Sequence, residues 1–243
     1  MDEKTFRAAL TRIFGANGMT RYLSYEKTEK FVRLTERMLT ENEKYNLTAI
    51  TAPEQIALLH YADSLTLAAL PAKGAKIIDV GTGAGFPALP LAIAREDLFI
   101  TAADATEKRV RYVEETAALL GLSNLTARTL RAECGAREKE LRETFDVACA
   151  RGVAPLRVLC EYCLPYVRVG GMFIAMKGQN AQTEVSQAKR AIAMLGGRLR
   201  EVRPTPLAGG SEVVAHSLVI IDKIAATNAQ YPRENAQIVK KPL

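Results

Sequence analysis

The sequence predicts an α/β fold: a mostly parallel seven-stranded sheet with an antiparallel last strand, helices on both faces, and an N-terminal helical extension. Three observations carry this expectation. From Ala75 onward, short apolar and partly β-branched runs alternate with segments of helix length, and such alternation builds a parallel sheet covered on both sides. The residues before Ala75 show helical spacing and no strand-like alternation. The last two strand-like runs follow one another without a helix between them, so they can pair antiparallel at one edge.

In the extension, Phe31, Leu34, Met38 and Leu39 recur at helical spacing, as do Ile56, Leu59 and Leu67 after the start offered by Pro53. The first five strands are KIIDV, LFITAAD, NLTARTL, FDVACA and GMFIAMK. The helices between them are PALPLAIARE, TEKRVRYVEETAALLGL, PLRVLCEYCLPYV and AQTEVSQAKRAIAMLGG. GRLREVRPTPL and EVVAHSLVIIDK close the sheet, and the polar tail from Asn228, with Pro232, Pro242 and a final KKPL, reads as extended. The expected organisation is a helical extension over 1–72, a ligand-binding α/β domain over 73–224 and a basic tail over 225–243.

Composition narrows the partners. With 48% hydrophobic residues and no Trp, the core must be mostly aliphatic. The longest apolar runs, Ala88 to Ala94 and Val213 to Ile221, are too short or too interrupted to cross a bilayer. The opening MDEKTFRAALTRIF has no apolar signal region. A cytoplasmic protein without a membrane partner is expected, and a monomer. The net charge of +6 favours a polyanionic partner. Cys160 and Cys163 form a Cys-x-x-Cys pair, but it falls in an amphipathic helix with no second pair at zinc-site spacing, and the only histidines, His60 and His216, lie far off. Reduced, half-buried thiols and no metal are expected.

The sharpest local signal is Asp79-Val80-Gly81-Thr82-Gly83-Ala84-Gly85-Phe86-Pro87, between a buried strand and a helix. Glycines let the chain turn tightly and approach a ligand that a Cβ would push away. The dinucleotide fingerprint G-x-G-x-x-G fails here, because Phe86 stands at its third glycine. A Tyr-x-x-x-Lys pair, needed by a short-chain dehydrogenase, is also missing: Tyr61, Tyr112 and Tyr162 are followed at that spacing by Leu65, Thr116 and Tyr166. An acidic residue followed by G-x-G-x-G resembles the first motif of class I methyltransferases, Rossmann-like enzymes that bind S-adenosylmethionine. Asp79, Gly81, Gly83, Gly85 and Phe86 are then cofactor candidates. Asp104, at the end of the next strand, can accept hydrogen bonds from both ribose hydroxyls, or can cap the helix opened by Thr106 and Glu107. After the third strand, Ala132 and Glu133 are candidates for holding the adenine, against the alternative of a plain polar loop.

Methyl transfer from a sulfonium is an in-line displacement, so alignment supplies much of the catalysis, and the acceptor decides what else is needed. Attack at cytosine C5 uses a cysteine, commonly after proline, and the chain has no Pro-Cys. Exocyclic base amines are commonly handled by an [Asp/Asn/Ser]-Pro-Pro-aromatic loop after the fourth strand; in that place stands Ala150-Arg151-Gly152-Val153-Ala154. Guanine N7 needs neither device, since its lone pair is free and no proton leaves. A methyltransferase for a protein or small-molecule acceptor remains the alternative.

These residues bring in a family. From about Lys44 to the C-terminus, KYNLTAI, HYADSL, IIDVGTGAGFPALPLAI, EKRVRYVEE, LRAE, ARGVA, AMKG and YPR…KKPL resemble the small-subunit ribosomal RNA guanine-N7 methyltransferases, the glucose-inhibited division protein B family. The resemblance implies S-adenosylmethionine contacts at Gly81, Phe86, Ala132, Glu133 and Arg151. It also implies a substrate in 16S rRNA or the small ribosomal subunit, in a loop near the decoding site. VVAHSLV stands where an Arg-His-Leu run is usual, and YPRENAQIVKKPL lacks the usual glycine and proline. Because N7 faces a deep, narrow major groove in A-form RNA, the target guanine must be looped out or flipped.

Four residues are expected to carry catalysis. Arg151, where the fourth strand ends, is expected to orient the methionine carboxylate or the guanine, donating to O6 and not to N7. Lys177, ending the fifth strand, is expected to reach the RNA backbone. His60 and Asp63, with Ser64, lie near one helix face, toward the mouth of the cofactor site if the extension folds over it. Arg109 and Arg111 read as solvated helix charges, and Asn46 either contacts the base or caps a turn.

Overall fold

The computed structural model describes residues 2–209 and 212–243. The N-terminal helices start and stop where local chemistry dictates. Helix α1 (Glu3–Ala16) is capped by the Asp2 carboxylate, which accepts from the Thr5 N–H at 3.0 Å, and α2 (Tyr25–Tyr45) is capped by Ser24. Asn46 ends α2 in the left-handed conformation, φ 49°, so its backbone serves as a helix cap. The next helix begins at Pro53 as α3 (Pro53–Gln55), passes into a π-helical stretch over Ile56–Ala62, and finishes as α4 (Asp63–Leu65). Simple helical spacing does not foresee that π segment, whose wider turn re-aims the side chains of residues 56–63.

The α/β part then runs β1 (Lys76–Val80), α5 (Ala88–Ala94), β2 (Phe99–Asp104), α6 (Glu107–Leu119), β3 (Leu125–Thr129), α7 (Ala132–Gly135), β4 (Phe145–Arg151), α8 (Leu156–Cys163), β5 (Val167–Lys177), α9 (Ala181–Met194) and β6 (Gly197–Pro204). A two-stranded ribbon, β7 (Leu207–Gly209) and β8 (Glu212–Val214), precedes β9 (Ser217–Lys223). The seven main strands lie in the order β3-β2-β1-β4-β5-β9-β6. All neighbouring pairs from β3 to β5 are parallel; β9 is antiparallel to both β5 and β6, so the antiparallel strand is inserted one place in from the edge.

Strand alternation divides the core in two. Ile77, Ile100, Ala102, Val147, Cys149, Ile174 and Ile220 face a layer that includes Phe6, Phe14, Phe31 and Tyr61 of the extension. Ile78, Val80, Ala148, Ala150, Phe173, Val219 and Ile221 face α8 and α9. The extension therefore shares a hydrophobic core with one face of the sheet. The C-terminal segment departs from its extended reading: Tyr231 and Ile238 are buried in the second layer, and α10 (Asn235–Lys240) is helical. Two buried apolar anchors, Tyr231 and Ile238, hold what its polar composition suggested would be loose. Among the described residues, no helix is long and apolar enough to cross a membrane.

The turn after β1 is where backbone freedom is needed. Gly81, Gly83 and Gly85 all have φ between 58° and 88°. A Cβ on Gly81 would stand 2.5 Å from Val153 Cγ2, and one on Gly85 would stand 2.3 Å from Leu89 Cδ1. Gly121 shares the left-handed backbone, φ 63°, but would meet open space. Gly121→Ala is thus expected to cost only the backbone strain, about 1–2 kcal/mol, whereas Gly85→Ala adds overpacking of roughly 1–3 kcal/mol. Urea unfolding of the two variants checks this; equal losses would show that the contact with Leu89 relaxes freely.

Candidate functional site

The carboxyl ends of the parallel strands open into one cavity of about 530 Å³. Its floor is the glycine turn, Val80 to Ala84, with Phe86. One wall is the end of β2 at Asp104 and the segment Leu130–Glu133 after β3; the opposite wall is Arg151, Gly152 and Val153 after β4. Leu47 and His60 reach in from the extension, and Tyr162 and Asn235 from α8 and α10. A crevice at the strand ends is where an open α/β sheet places its ligand.

Asp104 is 6% exposed and ties the floor to the wall. Its Oδ2 accepts from the Gly83 N–H at 3.0 Å and its Oδ1 from the Thr106 N–H at 2.8 Å, so one oxygen meets the glycine turn and the other the start of α6. Arg109, read from sequence as a solvated charge, lines the cavity and stands 3.7 Å from Asp104; Arg111 pairs with Glu107 on the exposed face. Ala132 is the first residue of α7, so its N–H is one of the donors a helix leaves without an intrahelical partner. Its carbonyl accepts from Tyr166 Oη at 2.8 Å, which fixes the segment. Glu133 is 9% exposed and lines the same wall.

Asp79 does not reach the cavity lining. It is wholly buried beneath the turn, where its carboxylate accepts from the Ala88 N–H at 3.3 Å, at the start of α5. Burial pushes this carboxyl up to about 6 against the hydrogen bonds that favour its charge. The acidic residue of the turn is placed to hold the helix rather than to touch a ligand. Lys177 also stands outside the cavity. Its ammonium donates to the Ala154 carbonyl at 2.8 Å and pairs with Glu184 at 2.7 Å, and its side chain is only 10% exposed. Glu184 in turn accepts from the Leu156 N–H at 2.6 Å. Lys177 fastens the loop after β4, its ammonium engaged by Ala154 and Glu184.

The catalytic candidates from the extension and β4 do come together. Arg151 donates to the Leu59 carbonyl at 2.8 Å and to Asp63 Oδ2 at 2.9 Å, with its guanidinium carbon 5.2 Å from the centre of the Phe86 ring. His60 stacks on Phe86, with centroids 4.4 Å apart and planes 6° from parallel. Its Nε2 lies 3.0 Å from Thr48 Oγ1, and its buried Nδ1 has no hydrogen-bond partner among the described residues. Burial, and then the Arg151 charge, bring the His60 imidazolium down to about 4, so the ring is neutral near pH 7. Ser64 turns inward and donates to the His60 carbonyl, a bond internal to its own helix.

One partner escaped the sequence. His216, just before β9, places Nδ1 2.6 Å from Asp63 Oδ1, and that bond raises its pKa from the ordinary histidine value. Asp63 thus lies between an arginine from β4 and a histidine from the last strand. Nothing in local spacing signals a contact across more than 150 positions; only the sheet order brings β9 beside β5 and hence near the end of β4. Among the described residues, no group of three or more His, Cys, Asp or Glu could hold a metal ion, and Cys160 and Cys163 are fully buried, their thiols pushed up by burial.

Known proteins bear on this geometry at two levels. Solved structures match the fold: a SAM-dependent O-methyltransferase from Thermotoga maritima superposes with a TM-score of 0.53 at 18% identity, covering 79% of this chain and 72% of its own. TYW2 of M. jannaschii, solved in complex with AdoMet, gives a TM-score of 0.53 at 15% identity over 67% of this chain and 75% of its own. Sequence relatives are far closer. The ribosomal RNA small subunit methyltransferase G of Clostridium perfringens (strain 13 / Type A) is 46% identical over 90% of this chain and 91% of its own. The protein of the same name from Acetivibrio thermocellus is 38% identical over the full length of both. The family profile described as rRNA small subunit methyltransferase G matches residues 27–206. The chain belongs to that family of S-adenosylmethionine-dependent ribosomal RNA methyltransferases.

Proposed function

We propose that this chain methylates N7 of a guanine in a loop of 16S rRNA near the decoding site, and that it works in the cytoplasm on the small subunit or its RNA. The observation that carries the reading is the end of β4. There Arg151 is held by Leu59 and Asp63 against Phe86 at the cavity wall, in the place where an amine-directed enzyme would carry a Pro-Pro-aromatic loop.

The residues fit the cofactor. Gly83 lines the cavity with φ 58° and leaves space that a side chain would enter, and the Asp104 and Ala132–Glu133 wall offers acceptors and a helix-end donor along one side. In this reading Gly81, Gly83 and Phe86 floor the site, Asp104 takes the ribose, and Ala132 and Glu133 take the adenine. Gly85 and Asp79 act from below by shaping the turn. S-adenosylmethionine supplies an electrophilic methyl group on a sulfonium.

The chain's own part is alignment and charge. Arg151 has five N–H donors, and the contacts with Leu59 and Asp63 both use Nη1. The remaining donors can hold the methionine carboxylate or guanine O6. A donor shared with N7 would occupy the attacking lone pair, so O6 alone is compatible with turnover. N7 methylation leaves a cationic base, and neutral His60 with the π face of Phe86 avoids adding positive charge beside it. Asp63 balances Arg151. Lys177 is assigned a positioning role, through the loop that presents Gly152 and Val153.

Three outcomes are expected. Ribosomal RNA from cells lacking this protein should lose one N7-methylguanine in the small-subunit RNA; an unchanged methylation map would reject the reading. Arg151→Ala should lower turnover or cofactor affinity at least about tenfold, and wild-type values for both would remove Arg151 from the site. The third concerns pH. His60 binds its proton near 6.5 when unfolded and near 4 when folded, so between these values the unfolded chain holds the extra proton and stability falls as pH falls. Between pH 7 and 4.5 the wild type should lose roughly 2 kcal/mol more than His60→Gln in urea unfolding. Parallel losses would show that His60 is not buried neutral.

A further inference from the structure

Beyond the family profile, which ends at residue 206, the C-terminal segment returns across the sheet's second face and reaches the cavity. It is firmly anchored there. Arg142 donates to the carbonyls of Thr227 and Tyr231, each at 2.8 Å, and Arg137 donates to that of Pro232. Arg233 grips the Glu161 carboxylate with its backbone N–H at 2.8 Å and with its guanidinium at 2.7 and 2.9 Å. Glu161 is wholly buried, so this pair has one dominant geometry.

That ion pair sets the register of its neighbours. Tyr162 follows Glu161 on α8, and Asn235 lies two residues beyond Arg233 at the start of α10. The Tyr162 hydroxyl donates to the Asn235 amide oxygen, and both residues line the cavity. The same cavity is lined by Leu130–Glu133, the wall after β3. With its oxygen engaged by Tyr162, the Asn235 amide has its NH2 group left to offer. Glu133, which lines the same cavity, is an acceptor. An acceptor and a donor lining one cavity complement the edge of adenine, where the N6 amine donates and N1 accepts.

We infer that the C-terminal segment completes the cofactor site, and that Asn235, oriented by Tyr162, reads the adenine edge together with Glu133. This rests on the S-adenosylmethionine reading of the cavity and adds to it a residue beyond the 27–206 profile match. Hypoxanthine inverts the edge, offering a donor at N1 and an acceptor at C6, so it provides the probe.

The test is calorimetric titration of the full-length protein with S-adenosylhomocysteine and with S-inosylhomocysteine. Wild type should bind the adenosyl compound and prefer it clearly over the inosyl one. Asn235→Ala should weaken S-adenosylhomocysteine about tenfold, as for loss of one buried hydrogen bond, and shrink the preference by a similar factor. Asn235→Asp, which replaces the donor by an acceptor, should shrink it further, and Tyr162→Phe should shrink it less. A purely structural role would weaken both ligands alike, so an unchanged preference ratio in Asn235→Ala and Asn235→Asp overturns the assignment. Wild type that binds neither compound would instead overturn the cofactor reading beneath it.

Discussion

One buried carboxylate connects parts of the chain that sequence keeps far apart. Asp63 belongs to the helical extension, accepts from Arg151 at the end of β4, and meets His216 at the approach to β9. Its side chain is 4% exposed and that of Arg151 is 19% exposed. Removing one member of such a pair leaves the other charge poorly solvated, at a cost of roughly 3–5 kcal/mol. The extension is thereby committed to the cavity by charge as well as by the apolar layer of Phe6, Phe31 and Tyr61. Position follows from that commitment: Leu59, His60 and Asp63 meet β4 and the glycine turn only because the helix carrying them is fixed over the sheet.

The π-helical stretch is part of the same arrangement. An α-helix would present residues 59, 60 and 63 at intervals of 100° per residue, and the wider winding over Ile56–Ala62 alters that phase. The result places the Leu59 carbonyl and the Asp63 carboxylate on one guanidinium and stacks His60 on Phe86. Phe86 sits at the centre, with an imidazole parallel to its ring and the Arg151 guanidinium carbon 5.2 Å from its centroid. A glycine there, as the dinucleotide pattern would have, could supply neither contact. The residue that set the turn apart from a dinucleotide loop is also the one on which the catalytic candidates are assembled.

What the sequence made legible was periodic or local. The five parallel strands, the helices between them and the glycine turn follow from alternation, helical spacing and the Gly81-Gly83-Gly85 series, and the structure has them within a few residues. The illegible parts depend on long-range packing. Asp79 looked like a site residue because it precedes the glycine series and Lys177 because it ends a strand; Asp79 faces the start of α5 and Lys177 faces Glu184 across the loop after β4. A strand end has two faces, and sequence position alone does not say which way a side chain leaves. Arg109 shows the reverse: helical spacing left it on a charged face, and the approach of α6 to the cavity turned that face toward Asp104. His216 and Asn235 gave no signal, because their partners lie 153 and 73 positions away.

The C-terminal segment shows how polar composition can mislead. A stretch with few apolar residues and two prolines has little to bury, and reads as loose. Here it is ordered differently: the side chains of Arg137 and Arg142 satisfy its backbone carbonyls, Glu161 fixes Arg233, and Tyr231 and Ile238 enter the core. Most of those partners lie between β3 and α8, the stretch of chain that also forms the cavity wall from Leu130 to Glu133. Order in the segment and shape in the wall therefore depend on each other. The proposed N7 transfer relies on alignment and removes no proton, so it would gain from such coupling: small displacements of the cofactor would be felt directly at the attacking atom.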